Sequence, residues 1–278
     1  KESPIEFQLY CQLTKFEVFP KVYRAFLNHR TKKFEYVCEK MRPLMISQYE
    51  VNLDGLLCEH YGDTIFQCLR FGLNCLYGLH ILHSDFKIVH SDISPWNIHY
   101  STIDGMWKLD DFDHSMCLEE SLQTVRKAGT IGFISPESES SGIFTPESDV
   151  YSLGRVIINS VYPAILKQIP EIESFEIDPE DSEAIETRDR LYHWTSDFER
   201  VFTSMARVNP EKRPSVTTAL QSLYNIIHKF NAYFKRDFIE DFKTFKQVQF
   251  IVQQMELSKF SSSASASTST PANCDYIL

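Results

Sequence analysis

Apolar side chains recur at Ile65, Leu69, Leu73, Leu76 and Leu79, the spacing that lines one side of an α-helix, and predict a long helix from about Asp63 to Leu82. The same periodicity predicts a helix over Glu6–Leu13, with Phe7, Tyr10 and Leu13 on one side, and others over Arg190–Met205 and Val216–Tyr233. Thr145 is a good N-cap and Pro146 suits the first helical position, opening a helix that runs through Asp149 to about Val161. Val22–Phe26 and Phe34–Cys38 read as two strands around the polar turn Asn28–Lys33. Two more short strands, one entered at Ile98-His99 and one over Met106–Leu109, flank a turn at Asp104-Gly105. The aromatic-rich segment Phe234–Phe260 predicts one more amphipathic helix, and the low-complexity run Ser261–Thr270 a disordered tail. Acidic residues crowd Glu171–Glu186, which reads as a solvated loop.

The stretch Val89–Asp113 brings chemistry into this pattern. It places Asp92, then Asn97 five residues on, then Asp111 after the second strand of the hairpin. Strand ends joined in this way bring an acid/base carboxylate, an amide oxygen and a second carboxylate near one point. Hard cations such as Mg²⁺ take such oxygens, and phosphoryl transfer uses the cation to neutralise phosphate charge. Taken singly, each residue is as well explained by an ordinary Asx turn.

The rest of the chain decides between them. His90-Ser91-Asp92, Asn97 and Asp111-Phe112-Asp113 resemble the His-Arg-Asp, Asn and Asp-Phe-Gly of the eukaryotic protein kinases. The resemblance continues through Gly129-Thr130-Ile131-Gly132-Phe133-Ile134-Ser135-Pro136-Glu137 and Ser148-Asp149-Val150-Tyr151-Ser152-Leu153-Gly154, and ends at Asn209-Pro210-Glu211-Lys212-Arg213-Pro214. Four motifs in family order are far more specific than one. The form His-x-Asp-Ile-Ser-Pro-x-Asn is also similar to that of fungal-type protein kinases.

The resemblance implies an α+β, protein-kinase-like fold: a mostly helical large lobe with a truncated small-lobe sheet. Residues 1–230 would form the kinase domain, 1–40 a partial small lobe and 41–230 the large lobe, followed by a helical extension over 231–260 and a disordered tail over 261–278. It implies ATP and Mg²⁺ as cofactors and a protein substrate. Asp92 would accept the proton of the attacking hydroxyl. Asn97 and Asp111 would hold the metal and, through it, the nucleotide. Glu39-Lys40-Met41 would form the hinge whose backbone meets the adenine, giving Glu39 and Met41 a binding role. Glu137 would pair with Arg213, and Asp149 would accept hydrogen bonds from the backbone around His90. Thr130 sits where serine/threonine kinases contact the catalytic aspartate.

Departures from the family pattern carry their own expectations. Ser94 stands where serine/threonine kinases have a lysine on the transferring phosphate; losing such a donor commonly costs roughly 3–4 kcal/mol of transition-state stabilisation. Ser91 replaces the arginine that pairs with an activation-loop phosphate, which argues against switching by that route. Asp113 replaces a glycine, and aspartate tolerates a left-handed backbone better than most residues. Asp110 and Asp111 should point in opposite directions, leaving Asp111 for the metal. All nine glycines lie at or after Gly55, so no Gly-rich phosphate loop precedes it, and no strand ends in the phosphate-pairing lysine. Glu6, with Glu2 as a competitor, is the helix candidate for that lysine's partner; Lys1 lies too close to it to be that lysine. A two-stranded small-lobe sheet is marginal alone, and the chain opens on Lys1 rather than Met, so a fragment of a longer kinase is expected.

Composition narrows the setting. A net charge of −10 disfavours nonspecific binding to nucleic acid or anionic membrane. The seven cysteines form no CxxC pair and mostly lie in apolar segments, which predicts buried thiols in a reducing compartment. His80 and His83 stand one helical turn apart and read as a helix end, not a metal site. No stretch of about eighteen apolar residues occurs, and the expected location is intracellular, in the cytoplasm. Nothing in the sequence speaks to oligomeric state. Two other readings stand beside the kinase: a non-catalytic pseudokinase scaffold, and a small-molecule phosphotransferase of the choline or aminoglycoside type, which shares the Asp, Asn, Asp set.

Overall fold

The computed structural model describes residues 4–28, 30, 33–47, 50–51, 61–163, 182–234 and 243–265. Helix α1 (Pro4–Leu13) precedes a hairpin of β1 (Val22–Asn28) and β2 (Lys33–Cys38), then β3 (Met41–Pro43), β4 (Met45–Ser47) and β5 (Glu50–Val51). Helix α2 (Tyr61–His80) runs into a π-helical segment, Ile81–Phe86. The short strands β6 (Ile88–Val89), β7 (Ile98–Ser101), β8 (Met106–Leu109) and β9 (Met116–Cys117) follow. The rest is helical: α3 (Leu118–Ser121), α4 (Pro136–Ser141), α5 (Pro146–Val156) with a π-helical end at Ile157–Val161, α6 (Ser182–Met205), α7 (Val216–Phe234) and α8 (Lys243–Ser265). Small antiparallel sheets beside many helices make this an α+β fold.

Helix α2 is the centre of the core. Leu69, Leu73, Leu76 and Leu79 are buried as their spacing predicts, but so are Phe71, Cys75 and Tyr77 on other sides, so the helix is enclosed nearly all round. Gly78 lets β8 approach closely: a Cβ there would lie 2.9 Å from Leu109 Cδ1. That contact seats the strand leading to Asp110 and Asp111. β8 pairs with β7 in the register Ile98↔Leu109 and Ser101↔Met106, and β7 pairs in turn with β3, Met41 opposite Ser101. Helix α5 opens on a capping box in which Thr145 and Ser148 exchange side-chain-to-backbone hydrogen bonds. Helix α8 packs Phe245, Val248 and Val252 against α7 and α2, with the Phe245 ring stacked on Tyr224.

Several expectations need correction. The acidic stretch is not all loop: its last residues, from Ser182, begin α6. Its earlier residues lie outside those described. Helix α8 reaches Ser265 and so includes the first residues expected as tail; serine and alanine extend an existing helix without a new nucleation cost. Residues 266–278 lie outside those described. Of the described cysteines only Cys68 and Cys75 are buried, and burial raises both thiols. Cys11, Cys38 and Cys117 are exposed, because α1 turns Cys11 away from Leu9 and Leu13, and the two-stranded sheets that carry the others are open. No described helix is long and apolar enough to cross a membrane.

Candidate active site

The loop after β6 is held from behind. Asp149, buried in the first turn of α5, accepts the His90 N–H on Oδ2 and the Ser91 N–H on Oδ1, each at 2.8 Å. His83 Nε2, brought round by the π-helical segment, lies 2.9 Å from the same Oδ2. His80 meets Thr217 instead, so the two histidines serve separate packing contacts. With both amides anchored, Ser91 adopts a left-handed conformation (φ 72°) and the chain turns at Asp92. Each Asp92 oxygen then receives one hydrogen bond: Oδ1 from Thr130 Oγ1 at 2.7 Å and Oδ2 from Asn97 Nδ2 at 3.1 Å. Asn97 Nδ2 also donates to the Asp92 carbonyl at 2.9 Å. Its amide nitrogen thus committed, Asn97 is left with its Oδ1, a hard oxygen donor.

Asp110 and Asp111 part company at the end of β8. The Asp110 N–H donates to the Asn97 carbonyl, and the Asp110 carbonyl lies 3.1 Å from His90 Nε2. Its carboxylate accepts the Tyr10 hydroxyl at 2.6 Å and approaches His99 Nδ1 at 3.4 Å. Burial lowers the His99 imidazole despite the nearby Asp110 and Asp111. Asp111 takes the left-handed conformation (φ 63°), turns outward, and is exposed. The left-handed residue was expected at Asp113; it lies two positions earlier because the reversal falls where β8 ends.

Partial desolvation raises the Asp111 carboxyl, and the charges of Asp113 and Asp110 add to the shift while the Asp113 N–H and His90 oppose it. Glu6 is raised to about 8, first by burial, then by its hydrogen bond with Asp113 and the repulsion of Asp113, Asp111 and Asp110. Helix α1 thus lays Glu6, the helix candidate for that lysine's partner, against carboxylates. The crowding of acidic oxygens suits a cation. No group of three His, Cys, Asp or Glu side chains among the described residues could hold one alone. The donors that would suit Mg²⁺ are the Asp111 carboxylate and Asn97 Oδ1.

The remaining predicted positions divide. The Glu39 side chain is buried away from any nucleotide: it accepts the Lys21 N–H at 2.8 Å and the Ser101 hydroxyl at 2.6 Å, and pairs with Lys108 Nζ at 2.6 Å. Burial alone would raise its carboxyl, but these partners outweigh it and hold it low. The Glu39 N–H is donated to the Lys21 carbonyl at 2.9 Å, which leaves its own carbonyl as the group that could meet a ligand. Met41 is half-buried and paired with Ser101. Ser94 is 0 % exposed and its hydroxyl has no hydrogen-bond partner among the described residues, so it does not open towards a substrate.

Three further contacts had no reading at the sequence level. Lys108, in the middle of β8, is buried between Glu39 and Asp104. Arg126 donates to Ser91 Oγ and to the His114 carbonyl, bringing a guanidinium from another segment to the place where the family's arginine is missing. Tyr10, read only as a core position, reaches Asp110 and Asp111. A buried lysine in a strand or a tyrosine in an apolar stripe signals nothing until its partner is known.

Below this centre, Arg213 forms a two-pronged pair with Glu137, at 2.6 and 2.8 Å, and donates to the carbonyls of Arg207, Val208 and Glu147. A doubly hydrogen-bonded carboxylate and an amide oxygen before the β7–β8 hairpin, with an outward carboxylate after it, are groups that phosphoryl transfer can use. The protein kinase domain family matches residues 32–225, and the chain belongs to it. It is 32 % identical over 152 residues to wall-associated receptor kinase-like 4 of Arabidopsis thaliana, covering 49 % of this chain and 19 % of that protein. It is 30 % identical over 167 residues to the serine/threonine-protein kinase Nek5 of Mus musculus, covering 56 % and 24 %. Over 177 residues it is 30 % identical to putative mitogen-activated protein kinase kinase kinase 7-like of Drosophila melanogaster, covering 56 % and 42 %. The matches thus span between a fifth and two fifths of these relatives' lengths.

Proposed function

We propose that this chain carries the catalytic centre of a protein kinase that transfers the γ-phosphoryl group of ATP to a serine or threonine hydroxyl of a protein. The observation that carries the reading is the Asp92 carboxylate, oriented by Thr130 on one oxygen and Asn97 on the other. Asp92 accepts the proton of the substrate hydroxyl as that oxygen attacks phosphorus and the bond to the leaving diphosphate oxygen breaks. Asn97 Oδ1 and the Asp111 carboxylate would hold Mg²⁺, which supplies charge neutralisation at the phosphate oxygens. The backbone of Glu39-Lys40-Met41 would meet the adenine. Thr130 on Asp92 and the serine/threonine kinases among the relatives favour an aliphatic hydroxyl.

Ser94, buried, leaves the transferring phosphate without the usual lysine, so turnover is expected to be slow. A second reading, a non-catalytic scaffold, draws on that residue and on Glu6, which faces Asp113.

Thermal unfolding with and without Mg²⁺-ATP, on this chain and on a version extended upstream of Lys1, tests the two. A ligand that binds only the folded state adds about 2.7 kcal/mol at a hundredfold excess over Kd. The expected result is a shift that Asp111→Ala abolishes, with Asp92→Asn lowering phosphoryl transfer by roughly 10²–10⁴-fold while binding persists. No response from either version would leave the scaffold.

A further inference from the structure

We infer that Tyr10 is the positioning residue for Asp111: one phenolic oxygen ties helix α1 to the Asp110–Asp111 turn and decides which of the two adjacent carboxylates is left free for a cation. The inference rests on reading Asp111 as the metal-facing carboxylate.

Tyr10 is fixed before its hydroxyl acts. It lies between Leu9 and Leu13 on the buried face of α1, and its ring packs against Tyr36 at 4.7 Å and edge-on to Phe112 at 5.2 Å. Phe112 is itself fully buried against Phe19 and His90. From that seat the hydroxyl donates to Asp110 Oδ1 at 2.6 Å and accepts the Asp111 N–H at 3.3 Å. Both the donor and the acceptor capacity of the phenol are thereby used.

The two bonds do different things. The first, with His99 at 3.4 Å, draws the Asp110 carboxylate inward and takes it out of competition for a cation. The second holds the peptide on which Asp111 turns. Asp111 has a left-handed backbone that side-chain-bearing residues adopt at a cost, so it needs external support. The catalytic loop supplies support at Asp110, through the Asn97 carbonyl and His90 Nε2. Tyr10 supplies it at Asp111 itself, from a different element. Neither phenylalanine nor a carboxylate could do both, since the first has no polar atom and the second would only repel Asp110.

The test is Tyr10→Phe, which keeps the ring and removes one oxygen, read by amide hydrogen exchange across Leu109–Asp113 and by the Mg²⁺ dependence of ATP binding. The expected result is exchange at Asp111–Phe112 faster by about tenfold, the worth of one hydrogen bond, with α2 as protected as in the unaltered protein. The Mg²⁺ concentration for half-maximal ATP binding should rise by a similar factor, and ATP binding without Mg²⁺ should not change. Unaltered exchange at the turn overturns the inference whatever the nucleotide does. So does a uniform rise that includes α2, which would make the hydroxyl a general stability element. If the unaltered protein binds no Mg²⁺-ATP while the variant still loosens the turn, the kinase reading fails and the hold of Tyr10 on Asp111 stands.

Discussion

Glu6 shows at the scale of one residue how crowded carboxylates shift one another. Its carboxyl is raised to about 8 by burial and by the neighbouring Asp113, Asp111 and Asp110. A carboxyl raised on folding keeps its proton in the native state while the unfolded chain releases it. The stability it contributes is therefore complete below its ordinary value near 4.5 and is lost as pH rises through about 8. Glu6→Gln, which cannot ionise, is expected to flatten that decline when urea midpoints are compared at pH 5 and pH 8.5. An unchanged slope between variant and parent would remove Glu6 as its source.

At the scale of elements, β8 is tied to the end of β2 by charge. Lys108 and Glu39 have 2 % and 1 % of their side chains exposed and meet at 2.6 Å, with Ser101 and the Lys21 amide completing the carboxylate's partners. Removing one member strands the other, at a cost of roughly 3–5 kcal/mol, whereas replacing both with neutral side chains can recover most of it. Lys108→Met should therefore lose that much in chemical denaturation, and Lys108→Met with Glu39→Gln much less. A single-variant loss below about 1 kcal/mol, the level of a surface pair, would mean that the pair is solvated and does not set the spacing of β2 and β8. The same logic separates Asp110 from Asp111: neighbours in sequence, they are assigned different tasks by the elements that pack on them.

The whole molecule depends on joints between distant segments. Arg213 reaches Glu137 at the start of α4, the Glu147 carbonyl in α5 and the face of Tyr151, 4.8 Å from the ring centroid. Burial would raise the Glu137 carboxyl, but the Arg213 and Ser135 hydrogen bonds outweigh it and hold the group below its ordinary range. That contribution is present above the unfolded value and is lost as pH falls through the lowered folded value. Arg213→Met should cost about 3 kcal/mol, the low end for a buried pair, because the Glu137 side chain is 28 % exposed. Its penalty should shrink as pH falls through the lowered Glu137 value, where the parent loses the contribution of the pair. Thermal unfolding across pH 3–7 checks this, and a penalty independent of pH would point to lost packing on Tyr151 instead.

What could be read from the sequence alone was local or motif-borne. Helix periodicity marked the buried face of α2, Thr145 and Pro146 marked the start of α5, and the motif order put Asp92 and Asn97 before the β7–β8 hairpin and Asp111 after it, with Glu137, Asp149 and Arg213 as supports. These depend on spacings within an element or on a resemblance that spans many of them. Tertiary structure alone decided that the Tyr10 hydroxyl would hold the Asp110–Asp111 turn while Glu6 meets Asp113, that Ser94 would be buried, that Arg126 would bring its charge to Ser91, and that Lys108 would close on Glu39. Tyr10 and Asp110 stand 100 residues apart. Periodicity says which face of a helix is buried, but not which polar atom waits there; that is settled only when two elements pack and each buried donor must find an acceptor.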